Sequence, residues 1–210
     1  FSGELQNQPS KLNAAIEALD AEGFQIHFHA IGDYAIEVSF DSLQNAREKN
    51  GKRDSRHHIS HIEVFQEKDI SRFNELDVVA NFQPLWAIED EYITEHTWPK
   101  IGHKRSKYLY PIGSVKRAGG KIAFGSDWYV TSVNPLDGIE AAITRLEPNG
   151  LTNNPLGVNE EIDLADAIEA YTLNGAYVNF LDKKVGSIEV GKQADLIISV
   201  SYTHLRAHET

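Results

Sequence analysis

The sequence has 210 residues, 41% hydrophobic and 24% charged, the proportions of a folded globular chain, which argues against disorder, a collagen helix or a membrane span. Twenty basic against 31 acidic side chains leave a net charge of −11, and this disfavours nucleic-acid partners, which call for clustered Lys and Arg. Cysteine is absent, which removes disulfides, zinc ribbons and thiol catalysis and leaves the compartment undetermined; methionine is absent too, an initiator included, so we expect Phe1 not to be a native start and the chain to be a piece of something longer.

Residues 9–20 read as a helix, with Leu12, Ile16 and Leu19 on one face and Ser10 as its N-cap. Gly23 ends it, and a short apolar strand follows over 24–29. A second helix spans 34–49, opened by Asp33 and closed by Asn50-Gly51. Residues 57–62, 78–82 and 121–124 read as further strands, and 68–76, 111–118 and 137–146 as helices, with a long aromatic loop before residue 111. Strand and helix alternating at this spacing predict a parallel sheet with helices outside. Half of an eight-unit barrel and an open doubly wound sheet both fit, and periodicity does not choose between them. After Asp163 the texture changes. A helix over 164–174 precedes two short strands, 186–188 and 194–199, which we expect to leave the barrel as a small β appendage.

In parallel βα folds, chemistry gathers at the carboxyl ends of the strands. Three expected strand ends carry His29, His61 and Asp127, polar groups where apolar ones would cost less. Imidazole nitrogen and carboxylate oxygen are the ligand types that zinc and similar divalent ions take. Pleating puts His27 and His29 on one face, with His29 nearer the mouth. The plainer account of any one of them, a buried histidine bonded to a backbone carbonyl, stays open at this point.

The wording of these segments goes further. QIHFHAIGDYA (25–35), RHHISH (56–61), FGSDW (124–128) and EAYTLNGAYVNFLDKKVGSIEVGKQADLIIS (169–199) together resemble the amidohydrolase superfamily. Within it they are similar to the amidohydrolase family 3 group of metal-dependent hydrolases, of the N-substituted formamide deformylase type. The resemblance implies an α/β fold, a distorted (β/α)8 TIM-type barrel carrying a β-sandwich built from both chain ends. This chain would be the carboxyl-terminal half, with barrel strands five to eight over 1–160, the last barrel helix and the return to the sandwich over 161–199, and a non-native tail over 200–210.

The resemblance also implies roles. His29, His61 and Asp127 would hold one or two divalent ions, zinc before others, with Asp127 and His61 also catalytic. Arg105, in GHKRSKYLYP, would clamp substrate, and Trp86 and Trp128 would wall its pocket, with Trp98 nearby. His27 and His57 would support the ligands, while His58 would face the outer helices. The implied reaction is hydrolysis of a carbon–nitrogen bond, a non-peptide amide or N-acyl group of a small molecule, with this chain inactive alone because half the ligand set lies elsewhere. One alternative is deamination of a heterocycle, which calls for a further acid after the fifth strand, where Asp33 suits helix capping better. Another is a non-catalytic metal-binding scaffold. Neither a nucleic-acid partner nor a membrane span is expected, and a homo-oligomer stays open. His204 and His208 have helical zinc spacing without the HExxH glutamate and lie in the tail. The acidic run around Glu89, Asp90 and Glu91 reads as solvated loop, and Asp163 and Asp166 as first-turn carboxylates of their helix.

Overall fold

The computed structural model describes residues 5–148, 150 and 154–198. Four short segments form its sheet: β1 (His27–Ala30), β2 (His58–His61), β3 (Val79–Phe82) and β4 (Ile122–Phe124). They run parallel and lie side by side in chain order. A doubly wound sheet reverses its order part-way across, so this unbroken order selects the single winding of a barrel, four strands of it.

Pleating sends alternate residues to opposite faces. The register aligns Phe28, Ile59, Ala80 and Ile122 in one row, and this row packs outward into the main apolar core with Phe40, Leu43, Phe73 and Val115. Phe40 and Phe73 are fully buried and meet edge to face at 4.8 Å. Burying such a ring contributes roughly 2–3 kcal/mol. The adjacent row, His29, Ser60, Asn81 and Ala123, faces the other way and is mostly polar. That inner face is where the chemistry sits.

The helices hold the outer face. Helix α1 (Pro9–Ala21) packs along α2 (Asp33–Asn50), and Ser42 Oγ donates to Asn13 Oδ1 at 2.6 Å between them. Pro9 occupies the first helical position, for which its fixed φ and missing N–H suit it, so the N-cap is Gln8 and Ser10 lies inside the first turn instead of capping it. Gly51, at φ 85°, closes α2 as expected. The helix expected over 68–76 begins as a 3-10 turn (Glu67–Asp69) and continues as α3 (Arg72–Glu75). The expected aromatic loop is itself helical in pieces, with a 3-10 turn Pro84–Trp86, a π-helical turn Tyr92–Thr97, then α4 (Trp98–Ile101) and α5 (His103–Ser106). Helix α6 (Ile112–Arg117) leads into β4, and α7 (Pro135–Thr144) follows, capped by Asn134, whose side chain accepts from Leu136 N–H.

Asp163 caps α8 (Leu164–Tyr171), its Oδ1 accepting from Asp166 N–H at 2.7 Å. The helix expected to run to residue 174 breaks at Thr172 and resumes as α9 (Leu173–Val178). There Gly186, at φ 93°, passes so close that a Cβ would stand 2.7 Å from the Ala176 methyl, so the chain needs glycine. The two strands expected over 186–188 and 194–199 do not form among the described residues, and Ser199 lies outside them. Strands exist by pairing, and no described segment offers these a ladder; Ile188, Val190, Ile197 and Ile198 stand exposed in consequence. The tail over 200–210, His204 and His208 included, lies outside the described residues. Among the described residues no helix is long and apolar enough to cross a membrane.

Candidate functional site

His29 stands on the inner face of β1. Alternation would send His61 outward with Ile59, yet its ring meets His29 edge to face, with centroids 4.3 Å apart. The backbone explains this. His61 and Ile62 adopt left-handed φ values of 77° and 56°, which end the strand and turn the imidazole inward. Left-handed backbone at non-glycine residues costs energy and clusters at functional sites. On its other side His61 stacks on Trp86 at 4.7 Å, with the planes 10° apart.

His61 is 5% exposed, and its Nδ1 is buried without a hydrogen-bond partner. Gln83, from the end of β3, buries an equally unpartnered Oε1. Burial and then the charge of His29 lower the His61 pKa, while Asp127 and the Gln83 side chain pull it back up. The ring is therefore neutral near neutral pH, the form that ligates metals. A contacting pair of imidazoles, one with an orphaned buried nitrogen, fits the chemistry of a divalent-cation site. Among the described residues, however, no three His, Cys, Asp or Glu side chains are gathered as a complete cage. Asp127 follows β4 on exposed backbone at φ 52°, near enough for its charge to act on His61 but outside a shared ligand shell with the two histidines.

The other expected residues fall in different places. His27 lies one pleat deeper than His29, where its Nε2 pairs with Ser60 Oγ at 2.6 Å and its ring stacks on His58 at 4.1 Å. His58 thus faces inward, a correction to the outward placement expected for it. His57 is on the opposite side of β2. Its Nδ1 accepts from Ile26 N–H at 2.9 Å, so Nε2 carries the proton toward Asp20 Oδ1 at 3.1 Å. With both nitrogens engaged there, His57 braces β1 against α1 and has no nitrogen left for His29 or His61. Arg105 reaches across the mouth to Asp33, Nη2 to Oδ2 at 2.7 Å. Trp128 is 69% exposed and meets Tyr129 edge to face, and Trp98 packs on the core with its Nε1 buried and unpartnered. Of the expected pocket walls, only Trp86 touches a ligand candidate.

Gln83, Glu63 and Tyr110 escaped the sequence reading. Gln83 carried a signal, a polar residue ending an apolar strand as His61 does. Glu63, two residues beyond His61, is buried, and burial raises its carboxyl above the usual range against the hydroxyls of Thr97 and Tyr110. It lines a cavity of about 370 Å³ that draws residues from the segments following all four strands, Trp86 among them. A second cavity, of about 300 Å³, lies at the amino ends of β3 and β4 and shares none of these residues.

A family model described as the Amidohydrolase family matches residues 2–205. The chain belongs to that family. Among curated relatives of this amidohydrolase chain, Protein LONG AFTER FAR-RED 3 of Arabidopsis thaliana is 34% identical over 90% of this chain and 32% of its own length. N-substituted formamide deformylase of Arthrobacter pascens is 24% identical over 84% of this chain and 31% of its own. Among solved structures, an uncharacterized metal-dependent hydrolase from Pyrococcus horikoshii OT3 superposes with a TM-score of 0.77 at 25% identity, covering 92% of this chain and 37% of that one. The amidohydrolase chain therefore spans about a third of the curated relatives it matches, and its four strands correspond to part of a (β/α)8 barrel.

Proposed function

We propose that His29 and His61 hold a divalent metal ion, zinc being one that takes imidazole nitrogen readily, and that the centre hydrolyses a carbon–nitrogen bond of an amide or N-acyl compound. One observation carries the reading: two histidines from the ends of adjacent strands touch at 4.3 Å, one of them by leaving the normal strand conformation to do so. Membership of the Amidohydrolase family and likeness to a metal-dependent hydrolase support it. When bound, such an ion supplies Lewis acidity and brings water within reach of deprotonation at neutral pH. The chain's own groups do the rest. Trp86 fixes the His61 ring by stacking, and Gln83 Oε1 offers it a buried acceptor. Asp127, on its exposed turn after β4, would take a proton from water on an Oδ atom and return it to the departing nitrogen.

Amide hydrolysis is favoured over deamination by Asp33. Deamination would favour an additional acid in the turn after β1, and Asp33 there is engaged at the start of α2, its Oδ1 accepting from Tyr34 N–H at 3.0 Å and its Oδ2 from Arg105. The test is a panel of N-formyl and N-acyl amines offered to the protein carrying this chain, with and without chelator, beside an Asp127→Asn variant. Chelator-sensitive release of amine that Asp127→Asn abolishes, with metal content retained, is expected. Unchanged turnover in Asp127→Asn would remove that residue from the mechanism.

A further inference from the structure

The cavity beside Trp86 carries chemistry that the metal reading does not use. Its charged lining consists of Glu63 and Asp90, with no lysine, arginine or histidine among the described residues around it. Three aromatic rings, Trp86, Tyr92 and Tyr110, share the wall, and the rest is aliphatic apart from Thr131. Glu63 is 7% exposed, and its partners are neutral: Thr97 Oγ1 donates to Oε1 at 3.2 Å, and the Tyr110 hydroxyl lies against the carboxyl. Asp90 Oδ1 accepts the backbone N–H of Ile93, at 2.8 Å. Buried carboxylates are ordinarily matched by a cation, and the buried Glu63 and half-buried Asp90 face one cavity with no cation in its lining. Aromatic faces around a desolvated site attract the same kind of guest.

We propose that this cavity is a subsite for the ammonium or amidinium end of a ligand with an apolar stem, seated between Glu63 and Asp90 and walled by the three rings. The proposal deepens the hydrolase reading and rests on it for one point, that the ligand is the substrate's remote substituent. Trp86 borders both places, stacked on His61 and lining the cavity, so a molecule held here extends toward the two histidines. The centre would then select amides carrying a basic group and exclude anionic ones.

Benzylamine, benzyl alcohol and benzoate serve as probes, titrated into the protein at pH 7 and followed by NMR shifts of the Trp86 indole. Benzylamine should bind roughly tenfold or more tightly than the alcohol, and benzoate should not bind, because a charge-assisted contact is worth a factor of that size. Asp90→Asn and Glu63→Gln should each remove most of the preference for benzylamine while leaving the alcohol unaffected. Equal binding of amine and alcohol, or an undiminished preference in Asp90→Asn, would overturn the proposal, and the half-buried Asp90 keeps the test available should Glu63→Gln fail to fold. His29→Ala separates the two readings: it should abolish metal binding and leave benzylamine binding intact. Metal binding without amine preference would sink the subsite alone.

Discussion

Acidification should destabilise this protein measurably through His58. The ring stacks 4.1 Å from His27 on the inner face, and its Nδ1 accepts the Asn81 side-chain N–H at 3.4 Å. A proton on Nδ1 would set two donors face to face. Burial, followed by the charges of His27 and His57, pushes the His58 pKa down to about 4 from an ordinary 6.5. Because the folded value lies below the unfolded one, the unfolded chain takes up the proton first. The stability at stake is complete above pH 6.5 and drains away as pH falls toward 4. At 1.36 kcal/mol per pH unit the whole gap amounts to on the order of 3 kcal/mol, with roughly 2 kcal/mol gone by pH 5. The assay is urea unfolding at pH 7 and pH 5 of the protein and of His58→Gln, which keeps an acceptor for Asn81 and does not titrate. Burial lowers the pKa of His27, His57 and His61 as well, and those groups are present in both proteins, so the difference chiefly reports His58. The unmodified protein should lose about 2 kcal/mol more than the variant. Equal losses would refute the reasoning.

Three further outcomes follow from packing and capping. Phe40→Ala should cost about 3–5 kcal/mol in urea unfolding, since the ring is fully buried against Phe73 and the cavity left behind cannot collapse onto a sheet. Arg56→Ala should cost on the order of 3 kcal/mol, because the buried guanidinium binds Asp54, Asp182 and the Tyr177 carbonyl and lies over the Tyr177 and Phe180 rings; Arg56→Lys should recover little of it, the planar fork being lost. Asp163→Ala should lower stability by about 1 kcal/mol through the lost cap, read in the same experiment.

The parallel sheet was legible in the sequence because apolar segments alternate with amphipathic ones at βα spacing, and the winding became certain only from strand order. His29 was legible as an imidazole at a strand end. The faces of His57 and His58 were not. Counting back by twos from His61 puts His57 on the ligand face and His58 outside, but the left-handed turn at His61 resets the count, and Ile59 is the reliable reference. The appendage strands failed for another reason: local β-propensity does not supply a partner, and neither 186–188 nor 194–198 joins a ladder with a described segment. Glu63 and Tyr110 were invisible because their meeting depends on the 3-10 and π turns after β3, which pattern reading took for loop. Asp127 is at the strand end the wording implied, though standing off from the two rings.

The most direct measurement is a Zn2+ titration followed by the imidazole nitrogen shifts of each histidine. The account predicts that the His29 and His61 nitrogens move together and saturate together, while those of His57, held by Ile26 and Asp20, do not respond. Zinc that leaves both ring systems undisturbed, or that binds as tightly after His61→Ala, would contradict it.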